Sequence, residues 1–328
     1  MGQKVKKIAV MTSGGDSPGM NAAIRSVVRT AAYYRTECVG IYRGYQGMIE
    51  GDFTPMSARS VNNIIHKGGT ILKSARSKDF MTKEGRAKAY ENLKEEGIEG
   101  LVIIGGDGSF TGGVVFNNEY NFPVIGIPGT IDNDIYGTSH TLGYDTALNT
   151  AMEAIDKIRD TASSHNRLFF VEVMGRDAGF IALNTGVGAG AEEILIPEED
   201  LGLERMLESL KKSRRSGKSS SIVVVAEGDK SGKNVYQLAD YVEENMPEYE
   251  VRVSVLGHMQ RGGSPTCFDR VLASRLGVRA VELLIDGKSN LMVGLKDNEV
   301  ATTDLEKAIK GQNSIDKELL RVSDIMTT

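Results

Sequence analysis

The nine residues LVIIGGDGS, at positions 101–109, decide the fold class. Four apolar side chains run directly into a glycine-rich turn that carries one carboxylate. A short apolar run bounded by glycines is typical of a strand that is buried on both faces of a parallel sheet. The stretch therefore predicts a buried strand whose carboxyl end opens into a polar loop.

The same unit recurs on both sides of this stretch. Apolar runs that end in polar, glycine-containing turns lie at 8–11, 124–127, 168–173, 222–226 and 251–256. Segments with helical periodicity lie at 21–34, 146–160, 203–212 and 268–285. Apolar strands that alternate with helices predict an α/β protein with largely parallel sheets covered on both faces.

The first helical segment, residues 21–34, has a recognisable apolar face and candidate N-terminal caps. Apolar side chains recur on one face from Ile24 to Ala31. We expect Ser17 or Asn21 to cap this helix, and Pro18 suits a first turn.

Composition excludes several classes of protein. The 39 basic and 44 acidic side chains give a net charge of −5, which disfavours nucleic acid as the main partner. The two cysteines, Cys38 and Cys267, and the four histidines lack the spacing of a disulfide framework or metal site. We expect a cytoplasmic protein with no membrane contact, because the start MGQKVKK has no secretory or myristoylation pattern and no apolar run is of membrane-spanning length.

Glycine-rich turns at the ends of the predicted strands indicate a phosphate site. Ligands of parallel sheets bind beyond the carboxyl ends of the strands, and glycine lets backbone N–H groups approach phosphate oxygens closely. The alternative is that tight strand-to-helix turns need glycine for their own geometry. The string Gly217-Lys218-Ser219 is not a P-loop, because Lys212 stands where the first glycine belongs.

Three carboxylates follow predicted strands. Asp107 can hold a Mg²⁺ that bridges nucleotide phosphates, or it can cap the following helix. Asp132 and Asp134 can share one cleft, where one accepts a hydroxyl proton and the other orients a metal or an arginine. The sequence Asp-Asn-Asp is also good turn chemistry, so a simple turn is the alternative.

Basic side chains near the strands supply positive charge. Guanidinium groups bind phosphate through two hydrogen bonds, although a single arginine is more often a solvated surface charge. Glu227 can bind sugar hydroxyls or merely favour a helix start. Together with the carboxylates, these residues point to phosphoryl transfer onto a phosphorylated small molecule. The candidates for the second phosphate are Arg76, Arg167, Arg176, Arg252, Arg261 and His258.

Six motifs in order resemble those of the bacterial ATP-dependent 6-phosphofructokinase family. The resemblance runs from about residue 8 to residue 300. It implies two similar Rossmann-like α/β domains with the active site in the cleft between them. The motifs are TSGGDSPGMNAAIR (12–25), GGTILKSAR (68–76), IGGDGS (104–109), PGTIDND (128–134), MGRDAG (174–179) and LGHMQRGGSP (256–265).

The resemblance also implies roles for single residues. Asp132 would take the proton from the C1 hydroxyl of fructose 6-phosphate, while Arg76, Arg176 and Thr130 assist catalysis. ATP would be bound by Gly15, Arg76, Ser77, Gly106, Asp107, Gly108 and Ser109, with Asp107 on Mg²⁺. The sugar phosphate would be bound by Thr130, Ile131, Asp132, Met174, Gly175, Arg176, Glu227, His258, Met259, Gln260 and Arg261, and by Arg167 and Arg252 of a neighbouring subunit.

Assembly and regulation follow from the same resemblance. A shared site implies a homo-oligomer, a tetramer in this family. An ADP or phosphoenolpyruvate effector would meet Arg25, Arg29, Arg59, Arg159, Glu192 and Lys218, but Ser216 and Ser219 stand where many relatives have lysine. The ATP-binding domain would comprise 1–142 and 259–305, and the sugar-phosphate domain 143–258 and 306–328.

The phosphoryl donor and two alternatives complete the expectation. Gly108 and Gly129 match the ATP type, whereas pyrophosphate-dependent relatives typically carry Asp and Lys there. A pyrophosphate-dependent enzyme is one alternative. A non-catalytic sugar-phosphate sensor is the other, although it would be expected to have lost Asp107 or Asp132.

Overall fold

Two separate β-sheets organise the chain, one of seven strands and one of four. The structure is a computed structural model that describes residues 5–162, 167–199, 202–215 and 221–326. In chain order the strands are β1 (Lys7–Thr12), β2 (Glu37–Ile41), β3 (Phe53–Met56), β4 (Gly100–Gly105), β5 (Val124–Pro128), β6 (Arg167–Val173), β7 (Glu193–Leu195), β8 (Ser221–Ala226), β9 (Glu250–Val255), β10 (Leu291–Lys296) and β11 (Glu299–Asp304).

Helices alternate with these strands. They are α1 (Met20–Tyr33), α2 (Gly44–Glu50), α3 (Lys83–Glu95), α4 (Asp107–Tyr120), α5 (Tyr144–Ala162), α6 (Phe180–Ala189), α7 (Leu203–Arg215), α8 (Val235–Asn245), α9 (Cys267–Ile285), α10 (Leu305–Lys310) and α11 (Lys317–Met326). Two short 3₁₀ helices lie at Asp79–Met81 and Gly257–Arg261. The α/β class and the largely parallel sheets predicted from the sequence are confirmed.

The chain divides into two compact units, each built from discontinuous segments. The first unit comprises residues up to 131, 135–146 and 261–313. The second comprises 132–134, 147–260 and the residues from 314 onward. Which ligand each unit binds stays a prediction.

The first unit contains the seven-stranded sheet, in the order β11-β10-β5-β4-β1-β2-β3. Its central strands are parallel, and the two edge strands β3 and β11 are antiparallel to their neighbours. Alternate residues of β1 and β4 enter two different cores. Ile8 and Val102 pack with α1 and α9, whereas Ala9 and Leu101 pack with α3 and α4.

The second unit contains the four-stranded sheet, in the order β7-β8-β6-β9, and all its pairings are parallel. Alternate residues of β6 and β8, among them Phe170 and Val223, pack against α7 and α8. Full burial of such side chains contributes roughly 1.5–3 kcal/mol each, so these apolar strands stabilise the sheet as the sequence indicated.

The predicted capping of α1 was wrong. The helix begins at Met20, and the N-cap position is held by Gly19 at φ 106° with no side-chain cap hydrogen bond. Asn21 instead lies inside the first turn, where its amide bonds to a distant loop. The apolar face of the helix is as expected, with Ile24 and Val27 fully buried.

Among the residues described, no helix is both long enough and apolar enough to cross a bilayer.

Candidate active site

Three parallel strands of the first unit end side by side. Thr12 at the end of β1 pairs with Ile104 of β4, and Gly105 pairs with Pro128 at the end of β5. The backbone N–H of Gly129 donates to Gly105 O at 2.9 Å. The loops that follow β1, β4 and β5 therefore start from one edge of the sheet, which is where parallel sheets bind ligands.

The loop after β1 lies against Arg261. Gly14 adopts φ 87°, a left-handed conformation that favours glycine. A Cβ built on the next residue, Gly15, would lie 2.8 Å from Nη1 of Arg261. The guanidinium therefore sits directly over the Gly15 backbone, in space that a side chain would fill.

The loop after β4 leads straight into a helix. Gly106 occupies the N-cap position of α4, and Asp107 is the first helical residue. The helix begins two residues before Ser109, so Asp107 lies in its first turn, where the helix dipole favours a negative charge. A Cβ on Gly108 would meet no atom within 4 Å, so open space adjoins Asp107. Ser109 is buried, and its carbonyl oxygen accepts the hydroxyl proton of Tyr45.

The loop after β5 carries Thr130, Ile131 and Asp132, all buried; Asp132 is only 6 % exposed. Thr130 O accepts a hydrogen bond from the Thr141 hydroxyl at 2.6 Å. Asn133 adopts φ 55°, a left-handed conformation in which asparagine is enriched, so the loop turns sharply beside Asp132. Asp132 is thus a carboxylate held in a sheltered loop rather than on the surface.

The predicted residues Arg76 and Ser77 lie in an irregular loop, residues 66–77, and Arg76 is exposed. The Ser77 hydroxyl donates to Gln46 Oε1 at 2.7 Å and accepts from Phe80 N at 3.2 Å. Gly68 packs against Gly263, since a Cβ at position 68 would lie 2.3 Å from Gly263 O. The loop is therefore in contact with the segment that follows Arg261.

In the second unit, the loops after β6 and β8 meet at the carboxyl edge of the smaller sheet. Arg176 adopts φ 56°, and its backbone N–H donates to Glu227 Oε1 at 2.7 Å. Glu227 N in turn donates to Val173 O. Burial, and then the neighbouring Glu227 carboxylate, raise the pKa of Glu172 near the end of β6.

The remaining predicted residues of this edge differ in exposure. Met174 and Gly175 are buried, whereas the Arg176 side chain is exposed beside Asp177, with Nε 3.7 Å from Oδ2. Gln260 is fully buried; its amide accepts from Met174 N and donates to Gly257 O, so it fixes the backbone here. His258 and Met259 are exposed on the short helix after β9.

Two predicted sugar-phosphate residues do not lie at this edge. Arg167 is the first residue of β6 and Arg252 is the third residue of β9, so both lie towards the amino ends of the parallel strands. β6 has seven residues and spans about 20 Å. Arg167 and Met174 therefore lie at opposite ends of one strand.

Glu250, which the sequence analysis did not single out, joins these two arginines. Its carboxylate accepts from Arg167 Nε at 3.1 Å and forms a second ion pair with Arg252 Nη2. A glutamate at the start of a strand is an ordinary surface residue by pattern. Only the register of β6 against β9, which pairs Arg167 with Glu250, brings the three charges together.

The predicted effector residues fall into separate groups. Arg25 and Arg29 line one pocket of the first unit, with Tyr33, Tyr34 and Glu282 among its other walls. Arg59 is exposed and does not line that pocket. In the second unit, Arg159 donates to the carbonyls of Ala189 and Gly190, and Glu192 accepts from Ile222 N. Ser216, Lys218 and Ser219 lie outside the described residues.

The site fits a Mg²⁺ carried by a nucleotide. Within the described ranges, no three His, Cys, Asp or Glu side chains gather closely enough to hold a metal alone. Mg²⁺ in phosphate-transfer enzymes is held through one or two carboxylates plus the phosphates of the substrate. A single Asp107 beside open space has the right chemistry for that arrangement.

Comparison with known proteins decides the family. The family model described as Phosphofructokinase matches residues 7–284. The chain is 56 % identical over 322 residues to ATP-dependent 6-phosphofructokinase 1 of Thermus thermophilus, covering 98 % of this chain and 99 % of that protein. The chain belongs to the phosphofructokinase family.

Solved phosphofructokinases share its fold. A structure of phosphofructokinase from Saccharomyces cerevisiae matches with a TM-score of 0.90 and 36 % identity, over 93 % of this chain and 45 % of that one. A pyrophosphate-dependent phosphofructokinase from Marinobacter aquaeolei matches with a TM-score of 0.84 but only 21 % identity, over 98 % and 92 % of the two chains. The second comparison shows a common fold alone.

Two glycines of this phosphofructokinase bear on the donor. Gly108 faces open space, whereas a Cβ on Gly129 would lie 3.1 Å from Cγ2 of Ile104 and 3.3 Å from Cε of Met20. The lysine expected at position 129 in pyrophosphate-dependent relatives would therefore need both neighbours to move. The packing around Gly129 is therefore tight for any side chain, that lysine included.

Proposed function

We propose that this phosphofructokinase transfers the γ-phosphoryl group of Mg-ATP to the C1 hydroxyl of D-fructose 6-phosphate, giving fructose 1,6-bisphosphate and ADP. The observation that carries the proposal is the 56 % identity, over nearly the full length of both chains, to a curated ATP-dependent 6-phosphofructokinase. The loops at the carboxyl edges of the two sheets carry most of the candidate residues for such a reaction.

Asp132 is the general base in this proposal. Its carboxylate removes the C1 hydroxyl proton as the sugar oxygen attacks the γ-phosphorus, and the bond to the β-phosphate oxygen breaks. The buried loop after β5 holds this carboxylate in a restricted position, and the Thr141 hydroxyl fixes the neighbouring Thr130 carbonyl. Thr130 and Ile131 then line the sugar beside the base.

Positive charge and backbone donors stabilise the transferring group. The exposed guanidinium groups of Arg76 and Arg176 are available for the equatorial phosphoryl oxygens. Gly15, Gly106, Gly108 and Ser109 present backbone N–H groups to the nucleotide phosphates. Asp107 holds Mg²⁺, which when bound offsets the phosphate charge and orients the nucleotide.

The 6-phosphate of the sugar is bound by His258 and Arg261, and its hydroxyls by Glu227 and the backbone at Met174 and Gly175. Arg167 and Arg252 serve the sugar phosphate of a neighbouring subunit. This assignment is supported by their place towards the amino ends of β6 and β9. Along the strands, Arg167 is about 20 Å from the loop at Met174, and Arg252, which pairs with Phe169, is about 17 Å from it. The protein therefore acts as a homo-oligomer, a tetramer in this proposal.

A mixed-subunit experiment tests that arrangement. At a fructose 6-phosphate concentration near the wild-type KM, Asp132→Ala subunits lack the base and Arg252→Ala subunits bind the sugar phosphate poorly, so each is weakly active alone. Dissociated and reassembled together, they should regain activity, because some sites then combine an intact base with an intact arginine. A mixture no more active than the average of its parents would show that each subunit works alone.

Regulation and location stay predictions. We propose that Arg25 and Arg29 bind an anionic effector such as ADP or phosphoenolpyruvate in the pocket they line, with Arg59, Arg159, Glu192 and Lys218 contributing, and that the protein is cytoplasmic. Loss of an ADP or phosphoenolpyruvate response in Arg25→Ala, with unchanged basal kcat, is the expected result; an unaltered response would remove Arg25 from the effector site.

A coupled assay tests the donor. With fructose 6-phosphate as acceptor, turnover is expected with Mg-ATP and not with Mg-pyrophosphate. Turnover with pyrophosphate alone would establish the pyrophosphate-dependent alternative. Binding of fructose 6-phosphate without turnover by either donor would establish the sugar-phosphate sensor.

A further inference from the structure

The 66–77 loop carries Arg76 but has no regular secondary structure to hold it. The loop also includes Lys73 at φ 56°, a left-handed backbone conformation that residues other than glycine and asparagine rarely adopt. Such a loop keeps one shape only where neighbouring groups determine it. Two buried side chains from the first 21 residues, Thr12 and Asn21, hold the loop in place through hydrogen bonds.

Asn21 uses its whole amide on this loop. It is 1 % exposed, and Oδ1 accepts the backbone N–H of Ile71 at 2.8 Å. Nδ2 donates to the carbonyl oxygens of Lys67 and Gly68, both at 3.1 Å. Only a carboxamide can accept one bond and donate two in this way, because a carboxylate has no donor and an aliphatic side chain has neither.

Thr12 holds the next part of the loop. Its hydroxyl donates to Lys73 O at 2.8 Å and contacts the Thr70 hydroxyl, also at 2.8 Å. Thr70 Oγ1 further accepts the N–H of Leu72 at 3.3 Å. On the far side of Arg76, Ser77 is fixed by Gln46. Only residues 74–76 lie between the anchored Lys73 and the anchored Ser77, and three residues span at most about 11 Å.

We propose that Asn21 and Thr12 are positioning residues that act on phosphoryl transfer through Arg76. They make no contact with substrate in this account; they hold the loop so that the guanidinium reaches the transferring group in one place. The inference rests on the proposed function, because it takes Arg76 to stabilise charge in the transition state. A misplacement of about 1 Å at such a group can cost roughly a hundredfold in rate.

A double-mutant cycle on kcat tests this coupling. Asn21→Ala is expected to lower kcat about ten- to a hundredfold, with the KM for fructose 6-phosphate changed less than about threefold. Arg76→Ala should lower kcat at least as far. The double variant should lie within about threefold of Arg76→Ala alone, since a lost arginine cannot be misplaced. Thr12→Val, which keeps the branched shape, is taken through the same cycle.

Asn92 provides a matched control outside the loop. Its Nδ2 also donates to two consecutive carbonyl oxygens, those of Met48 and Ile49, both at 2.9 Å. Asn92→Ala is expected to lower Tm without a comparable loss of kcat. An equal loss of kcat in Asn92→Ala would show that Asn21 acts through general stability, and the proposal would fail.

The outcomes separate the inference from the function on which it rests. No turnover by the wild-type protein would remove the proposed function. Wild-type turnover with an unchanged kcat in Arg76→Ala would remove the role of Arg76 and the inference with it. The inference alone would be overturned by a third result. In that case the wild type turns over with ATP and Arg76→Ala lowers kcat, but in both cycles the kcat losses of the two single variants multiply in the double variant. If Asn21→Ala does not fold, the Thr12→Val cycle decides by the same criterion.

Discussion

Two loops of the first unit and the arginine pair of the second unit are held in different ways. Neutral side chains fix the two loops: Asn21 and Thr12 hold the 66–77 loop, and Thr141 holds Thr130. In the second unit, Arg167 and Arg252 lie on strands β6 and β9, where Glu250 pairs with both of them.

The difference suggests that the first unit's loops position groups for the reaction, whereas the second unit's arginines bind substrate reversibly. A loop tied down by hydrogen bonds from buried neutral side chains keeps its shape without a ligand, which suits groups that must meet a transition state accurately. An exposed arginine paired with a carboxylate gives up that partner when a phosphate arrives, which suits binding that must be reversible. We therefore expect changes in the loops of the first unit to alter kcat, and changes in the arginine pair of the second unit to alter KM.

The largest expected effect is on the base. Asp132→Ala should lower kcat by ~10²–10⁴, because a positioned base contributes about that much, while binding of fructose 6-phosphate changes little. Steady-state kinetics together with calorimetric titration of the sugar phosphate measure both quantities. A near-normal kcat would mean that the proton is removed by another group.

Arg252→Ala should instead weaken binding of fructose 6-phosphate and change kcat little. Loss of a charge-assisted hydrogen bond to phosphate is expected to raise the KM for fructose 6-phosphate about ten- to a hundredfold, with kcat largely retained. The KM for ATP in the same preparation serves as the internal reference. If the KM for the sugar phosphate stays unchanged, Arg252 does not bind it.

The buried carboxylate of Asp269 makes the stability of the protein depend on pH. Its carboxylate is fully buried at the start of α9 and accepts hydrogen bonds from Gly143 N and Thr146 N. Burial raises its pKa from 3.8 to about 6, so its contribution to stability is complete below about pH 4 and is lost as pH rises through 6.

Replacement of Asp269 should remove that pH dependence. Relative to wild type, Asp269→Asn is expected to gain about 2–3 kcal/mol of stability between pH 4 and pH 7. Urea unfolding at fixed protein concentration measures it. Thr82→Ala, which removes the non-titrating cap of α3, should lose the same stability at both pH values. A parallel course for wild type and Asp269→Asn would contradict the assignment.

The smallest expected effect concerns Glu250, whose carboxylate competes with the sugar phosphate for the two arginines. Glu250→Gln should lower the KM for fructose 6-phosphate about two- to fivefold, since a partly exposed ion pair is worth no more than about 1 kcal/mol. Glu248→Gln removes the nearby ion pair with Arg214 and should leave the KM unchanged. A raised KM in Glu250→Gln would mean that Glu250 orients the arginines rather than competing for them.

The sequence was sufficient for β1, β4, β5, β6, β8 and β9, whereas β2, β7 and β10 were not predicted although they are largely buried. β1, β4, β5, β6 and β8 are apolar along nearly their whole length because both faces are covered, so the pattern is strong. The edge strands β3 and β11 were not predicted. They are partly exposed, antiparallel and short of continuous apolar runs, and their pairing depends on residues distant in the chain.

Long-range partners of polar side chains were the part that sequence could not supply. Asn21 at a helix start resembles a cap by pattern, yet its partners are 46–50 residues away. Glu250 looks like a solvated charge until β6 and β9 are paired in register. The loop motifs revealed which residues carry the chemistry, whereas the groups that position them became visible only in three dimensions.

Phosphorus-31 NMR of the wild-type protein with Mg-ATP and fructose 6-phosphate would follow the proposed phosphoryl transfer itself. We predict a new phosphate-ester signal at C1, growing in step with ADP, while the 6-phosphate signal persists. Formation of inorganic phosphate in place of that ester, or growth of the ester only when pyrophosphate replaces ATP, would contradict it.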